Sequence, residues 1–235
     1  MDVGSWDGTI SWRDFNVAAG ELAERWKRSK HAFPPWTWVV PSPKRHLGFS
    51  SNQIDGYLAL ERLCLTGSTE KDTPLQEDSC EVTQVEKEET TFFEEDEPVD
   101  TATLVESIEV GVHNYDFHIA YSASFRVPVL FFRAYKIDGQ PLVLEEIEKD
   151  LPASSAKGLL ESKWTFITQE DHPYLNRPWC KLHPCGTSEW MKLLFQSDTS
   201  MANNGVAIEL YIVSWLSVVG QVFGLRIPSE LLDCP

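Results

Sequence analysis

The sequence has little positive charge and few cysteines. Its 235 residues contain 20 lysines and arginines against 36 aspartates and glutamates, which gives a formal net charge of −16. We therefore expect no basic surface for nucleic acid or for an anionic membrane. The five cysteines are odd in number and irregularly spaced, and no C-x-x-C pair occurs among them. A disulfide framework and a dithiol exchange motif are therefore not expected.

Long hydrophobic runs are also missing. The first residues are acidic and contain no apolar stretch, so we expect no signal peptide. The most apolar stretch, 210–225, has 16 residues, fewer than the roughly 20 that a membrane-spanning helix needs. A buried helix is the better interpretation of this stretch. The predicted compartment is the reducing cytoplasm.

The first predicted element is an amphipathic helix over 11–30. Apolar residues recur on one of its faces at helical spacing, and Ser11 with Asp14 has the pattern of a helix cap. The last turn is basic, which suits the carboxyl end of a helix. That basic end is either a solvated end of a core-packing helix or a docking surface for an acidic partner.

Most of the predicted strands follow this helix. Alternation and β-branched or aromatic content predict them at 36–40, 56–65, 115–125, 127–135 and 162–169. Helices are predicted over 143–151, from Thr187 or Ser188 onward, and over 207–223, whereas 170–181 is predicted to be extended and irregular. Grouped strands with helices at both ends indicate an α+β fold, an antiparallel meander sheet flanked by helices, and not a βαβ fold.

One segment differs from the rest in composition. The region 70–106 holds fourteen acidic residues and two lysines, which is −12 of the net −16. We therefore predict one domain over 1–235, with a flexible acidic insertion at 66–107 between two strands. The insertion either solvates the chain or binds a partner through Phe92 and Phe93.

The residue with the strongest chemical signal is Cys185. It lies in the run His183-Pro184-Cys185-Gly186, just before a predicted helix. A thiolate forms more readily near a helix amino terminus, and the flanking proline and glycine are untypical of a core cysteine. We interpret Cys185 as a nucleophile.

Several chemistries remain possible for such a cysteine. A papain-like hydrolase would need a histidine base, for which the candidates His113, His118 and His172 lie in no diagnostic motif. A zinc site at Cys180, His183 and Cys185 would lack a second pair of ligands. A thioester carrier needs the fewest partners, because its substrate arrives already activated. A buried structural cysteine is the alternative without chemistry.

Four segments resemble one known family. They are Asp-His-Pro-Tyr-Leu-Asn-Arg-Pro-Trp at 171–179, Leu-His-Pro-Cys-Gly-Thr at 182–187, the strand pair 121–134, and Ser-Trp-Leu-Ser-Val-Val-Gly at 214–220. In this order they are similar to the autophagy-specific E2-like conjugating enzymes. The strand pair and the last segment favour the protein-conjugating branch of the family over its sister, the lipid-conjugation branch.

The resemblance implies a ubiquitin-conjugating-like α+β fold and a transferase activity. Cys185 would receive the ubiquitin-like autophagy protein twelve as a thioester from the E1-like autophagy-related protein seven. It would then pass this modifier to a lysine of autophagy-related protein five. No cofactor or metal is implied. The alternatives are an enzyme of the lipid-conjugation branch and a non-catalytic binding module that uses the acidic insertion.

The resemblance also brings out one difference from ordinary ubiquitin E2 enzymes. Those enzymes carry His-Pro-Asn several residues before the cysteine. Here the cysteine itself follows His-Pro, so another group must take the role of that asparagine. The candidates for this support are His183, Asn176 and Tyr121. Tyr121 shares a strand face with Phe117 and Ile119, so core packing is its alternative role.

Overall fold

The computed structural model describes residues 6–29, 34–41, 56–66, 111–153, 155, 167–197 and 207–231. The chain divides into two units, and all of these residues belong to the first, Met1–Ser68 with Gly111–Pro235. The second unit, Thr69–Val110, lies outside the described residues. The predicted acidic insertion at 66–107 therefore lies outside them too, apart from Thr66, and the prediction of a single domain stays a prediction.

The described residues form helices and strands in the predicted α+β order. The elements are α1 (Trp12–Arg28), β1 (Thr37–Val39), β2 (Tyr57–Thr66), β3 (Val112–Ser122), β4 (Val127–Tyr135), α2 (Leu144–Asp150), β5 (Ile167–Asp171), β6 (Pro178–Leu182), α3 (Thr187–Ser197) and α4 (Ile208–Val219). Short 3₁₀ turns follow at Gly220–Phe223 and Ser229–Leu231. The predicted α+β fold is confirmed.

The six strands form one sheet in which every pair is antiparallel. Its strand order is β1-β2-β3-β4-β6-β5. The first four strands follow one another as a meander, and the β5–β6 hairpin then joins β4 through β6. Strand β6 therefore has a neighbour on each side, and the loop after it is anchored to an interior strand of the sheet.

Helix α1 begins at the predicted cap. The Ser11 hydroxyl oxygen accepts the Asp14 backbone N–H at 3.1 Å and donates its own proton to the Asp14 carboxylate at 2.7 Å. This cap satisfies one backbone donor that the first helical turn leaves without an intrahelical partner. The buried face of α1 packs against α4, and both helices cover one face of the sheet.

The opposite face of the sheet carries a second, smaller cluster. Its buried members are Tyr57, Ala59, Ala120, Val129, Phe131 and Trp179. Tyr174 and Leu175, from the turn between β5 and β6, pack against this cluster. The turn therefore covers part of the face that the helices leave open.

The two last helices match their predictions in position and differ in detail. Thr187 and Ser188, predicted as caps, are instead the first two residues of α3. The helix predicted over 207–223 ends at Val219 and continues as the 3₁₀ turn Gly220–Phe223. Among the described residues, none of the helices combines the length and the hydrophobicity that crossing a bilayer requires.

The prediction of an extended, irregular path over 170–181 holds for the turn at 172–177 and is wrong for the strands on either side of it. Glu170 and Asp171 end β5, and Pro178–Leu182 forms β6. Pro178 is the first residue of β6, a place where the missing N–H of proline is tolerated. The pairing of β6 with β4 and β5 depends on tertiary contacts. The local sequence indicates an irregular segment instead, because it contains two X-Pro dipeptides, His172-Pro173 and Arg177-Pro178. The predicted strand 162–169 is seen from Ile167 onward, and 161–166 lie outside the described residues.

Candidate active site

Cys185 lies in a short loop between β6 and α3. Strand β6 ends at Leu182 and α3 begins at Thr187, so residues 183–186 form this loop, which we call the Cys185 loop. The Thr187 N–H donates to the Pro184 carbonyl at 3.2 Å, and Gly186 has φ +76°. Such a φ costs a residue with a side chain about 1–2 kcal/mol. Gly186 thus allows the turn that leaves the Cys185 thiol exposed and outside any disulfide.

His183 orients the backbone of the Cys185 loop. Its Nδ1 accepts the backbone N–H of Cys185 at 3.2 Å. In a neutral imidazole the proton then lies on Nε2, which is available as a donor. The His183 ring packs edge-on against Phe125, with 5.7 Å between ring centroids. Phe125 belongs to the corner between β3 and β4, so that corner borders the loop.

Tyr121 does not point its hydroxyl proton at the thiol. The hydroxyl donates to the carbonyl of Ile10 at 3.1 Å, and the ring lies 5.6 Å from that of Phe15. Partial burial raises the pKa of Tyr121, so the phenol stays protonated. The predicted packing of Tyr121 beside the core is thus observed. The hydroxyl bond of Tyr121 therefore leads to the segment that holds Ile10 and not to Cys185.

Asn176 is not brought to Cys185. It lies in the turn between β5 and β6, where its N–H donates to the His172 carbonyl at 3.0 Å and its φ is +50°. All of β6 separates this turn from the Cys185 loop. Five extended residues span about 17 Å, so the geometry gives no support to a role for Asn176 beside the thiol.

The other three histidines that the structure describes are bonded within other clusters. His118 Nδ1 lies 3.1 Å from His172 Nε2, and His113 Nδ1 lies 2.7 Å from Asp150 Oδ2. Burial lowers the pKa of His118 to about 3 and that of His172 to about 4. Of the described histidines, His183 is the one bonded to the Cys185 loop, and an arrangement of the papain type is not observed there.

The zinc alternative finds no support in the geometry. Within the ranges that the structure describes, no group of three or more His, Cys, Asp and Glu side chains could hold a metal ion. Cys180 lies on β6, half-buried, and burial raises the pKa of its thiol. The chemistry of the loop therefore centres on the exposed thiol of Cys185.

Two neighbours of the Cys185 loop were missed by sequence reasoning. One is Phe125, which no local pattern connects to His183. The other is the segment 6–10, in which Gly8 lies directly against the backbone of Ser188 in the first turn of α3. The Asp7-Gly8 pair is a turn signal that could have drawn attention to this segment.

Comparisons with known proteins show which sequences and structures the chain is similar to. Residues 14–230 match the family model described as "Autophagocytosis associated protein, active-site domain". The chain is 51% identical over 227 residues to the ubiquitin-like-conjugating enzyme ATG10 of Arabidopsis thaliana, covering 97% of this chain and 96% of that protein. It is 30% identical over 118 residues to autophagy-related protein 3 of Pichia angusta, covering 50% of this chain and 33% of that one. A solution structure of KmAtg10 matches with a TM-score of 0.35 and 14% identity, over 92% of this chain and 96% of that one.

Proposed function

Because the chain belongs to the family of autophagocytosis-associated proteins and is an E2-like, ubiquitin-like-conjugating enzyme, we propose that Cys185 carries its substrate protein as a thioester. An enzyme of this kind uses a ubiquitin-like protein as substrate and an E1 enzyme as donor. The observation that carries the assignment to Cys185 is its exposed thiol in a loop held between an interior strand of the sheet and a helix. An exposed position lets two large proteins reach the sulfur in turn.

The proposed modifier is the ubiquitin-like autophagy protein twelve, delivered by autophagy-related protein seven. The Cys185 thiolate attacks the carbonyl carbon of the E1-bound thioester, a new thioester forms, and the E1 thiolate leaves. The chain is 51% identical to an ATG10 over almost its whole length, but 30% identical to an autophagy-related protein 3 over half of its length. This difference favours the protein-conjugating branch of the family over the lipid-conjugation branch.

The proposed acceptor is a lysine of autophagy-related protein five. Its neutral amine attacks the thioester carbonyl, an isopeptide bond forms, and the Cys185 thiolate is released while the amine proton passes to solvent. No redox step and no cofactor are needed for this exchange. A nucleophilic thiol in an exposed loop must stay reduced, so we place the reaction in the cytoplasm.

His183 and Tyr121 are proposed as positioning residues. His183 holds the backbone N–H of Cys185 through Nδ1 and leaves Nε2–H as a donor facing away from that bond. The Cys185 N–H is thereby engaged within the loop, so an oxyanion formed at the thioester needs its hydrogen-bond donor elsewhere. Tyr121 acts through Ile10, which its hydroxyl binds.

The proposal is tested by forming the adduct directly. The protein is mixed with the E1-like enzyme, ATP and the modifier, and gels are run with and without thiol. We expect a band that thiol removes and that is absent in Cys185→Ala. Cys185→Ser should give an oxyester that survives thiol, whereas Cys64→Ser is the matched control, because Cys64 is exposed as well, and should load normally. An adduct that persists in Cys185→Ala would assign the thioester to another residue.

A further inference from the structure

Residues 6–10, which we call the strap, connect three elements around the Cys185 loop. The Trp6 ring packs edge-on against Phe195 of α3 and Tyr211 of α4, with centroid distances of 5.3 Å and 5.9 Å. The Tyr211 hydroxyl donates to the Gly8 carbonyl at 2.8 Å in a buried position. The strap is therefore fixed to the two helices that follow the loop.

Gly8 makes the closest contact of the strap. Its φ is +82°, and a Cβ added there would lie 1.8 Å from the Ser188 carbonyl oxygen and 2.6 Å from its carbon. Ser188 is the second residue of α3, three positions after Cys185. The backbone of the strap thus lies directly against the first turn of the helix that ends the Cys185 loop, and only glycine permits the contact.

The other end of the strap holds the corner between β3 and β4. The Ile10 N–H donates to the Arg126 carbonyl at 2.8 Å, and the Ile10 carbonyl accepts the Tyr121 hydroxyl at 3.1 Å. Phe125, next to Arg126, packs against His183. One short segment therefore sets the position of both borders of the loop, the corner on one side and the first turn of α3 on the other.

We propose that the strap positions the Cys185 thiol for transfer and that Gly8 is its essential positioning residue. The inference rests on the proposed function of Cys185 and extends it to residues that do not touch the thiol. A methyl group at position 8 would force the strap and α3 apart by about 1.6 Å to reach an ordinary contact distance of 3.4 Å. A misplacement of about 1 Å can lower a rate by about 100-fold.

The first experiment compares Gly8→Ala with Gly20→Ala. Gly20 lies in α1, and a Cβ added there would meet no atom within 4 Å, so the same substitution is harmless at that site. Two readouts are used: the rate of single-turnover discharge of the loaded thioester to lysine, and the pH profile of iodoacetamide alkylation of Cys185, followed peptide by peptide. We expect Gly8→Ala to lower discharge about tenfold or more and to shift the Cys185 profile. The Cys64 profile, recorded in the same samples, should not change.

A second pair of variants keeps the proposal testable if Gly8→Ala does not fold. Asp7 is exposed, and its Oδ1 accepts the Thr9 N–H at 3.0 Å and the Thr9 hydroxyl at 2.6 Å, which sets the turn of the strap. Asp7→Ala removes both bonds, whereas the amide oxygen of Asp7→Asn can keep them. We expect discharge to fall about threefold or more in Asp7→Ala and to stay near wild type in Asp7→Asn.

Each result decides for or against the strap. A folded Gly8→Ala with unchanged discharge and an unchanged Cys185 profile overturns the proposal. Discharge at the wild-type rate in Asp7→Ala also overturns it, because the thiol would then be correctly placed without the two bonds that set the turn of the strap. If Cys185 did not carry the modifier, loading would persist in Cys185→Ala, while the alkylation profiles would still report on the strap.

Discussion

At the scale of single residues, the ring of His183 accepts a hydrogen bond from the backbone N–H of Cys185. We expect His183→Ala to slow single-turnover transfer from the preformed thioester about fivefold, because one net hydrogen bond contributes about 1 kcal/mol. His183→Asn offers an amide oxygen in place of Nδ1 and should keep most of the rate. If the asparagine variant is as slow as the alanine variant, the imidazole itself takes part in transfer.

The residue scale also shows what the sequence could predict of the site. Cys185 and His183 are close in sequence, so their pairing followed from the His-Pro-Cys-Gly run. The contact of His183 with Phe125 joins segments that are distant in the chain and carries no local pattern. The contact between Gly8 and Ser188 also joins distant segments of the chain. It is a close approach of two backbones, which hydrophobic periodicity does not reveal.

At the scale of elements, strands β3 and β4 were both predicted, although β3 begins and ends three residues before the predicted 115–125. Strand β4 has the predicted bounds, and the predicted faces of β3 separate the main core from the second cluster. Strand β6 was missed, because a five-residue strand that begins with proline gains its stability from two neighbouring strands and not from its own composition. That strand carries the Cys185 loop, so the missed element is the one that positions the site.

The position of α2 on the sheet depends on Asp150. Its Oδ2 accepts the Tyr115 hydroxyl at 2.6 Å and lies 2.7 Å from His113 Nδ1, and burial together with this bond raises the pKa of Tyr115. We expect Tyr115→Phe to lower the free energy of unfolding by about 1.5–3 kcal/mol, the range for a hydrogen bond to a charged group. Thioester discharge should stay at the wild-type rate, because β3 separates Tyr115 from the corner beside the loop.

Tyr121→Phe is the matched control at the other end of β3. Its hydroxyl binds a neutral carbonyl, so the loss of stability should be smaller, about 1 kcal/mol. Discharge, in contrast, should slow in this variant, because Ile10 of the strap loses a partner. Chemical denaturation and single-turnover assays on both variants check this crossed pattern. Discharge at the wild-type rate in Tyr121→Phe would remove Tyr121 from the positioning residues.

At the scale of the whole molecule, the second face of the sheet holds two histidines, His118 and His172, whose pKa values are lowered by burial. The Tyr174 N–H donates to His172 Nδ1 at 3.3 Å, so the proton of His172 lies on Nε2 and is donated to His118 Nδ1. The remaining nitrogen of His118, Nε2, lies 3.6 Å from the Glu61 carboxylate. A proton added to this pair would place a charge among the aromatic rings of Tyr57 and Trp179.

This arrangement predicts that the fold loses stability in mild acid. Burial lowers the pKa of His118 to about 3 and that of His172 to about 4, whereas both titrate near 6.5 in the unfolded chain. Below about pH 6.5 the unfolded state therefore binds protons that the folded state does not, and stability falls until the pH reaches the folded pKa values. Between pH 7 and pH 5 the two histidines together should lower the free energy of unfolding by about 4 kcal/mol.

Urea unfolding at pH 7, 6 and 5 measures this loss, and His172→Gln isolates the contribution of one ring. A glutamine can still accept from the Tyr174 N–H and donate to His118, but it does not titrate. We expect the fall between pH 7 and pH 5 to be about half as large in this variant, whatever its stability at pH 7. His183→Asn is the control, since His183 lies outside this cluster and its loss should leave the fall unchanged. An equal fall in His172→Gln and wild type would mean that other groups cause the acid sensitivity.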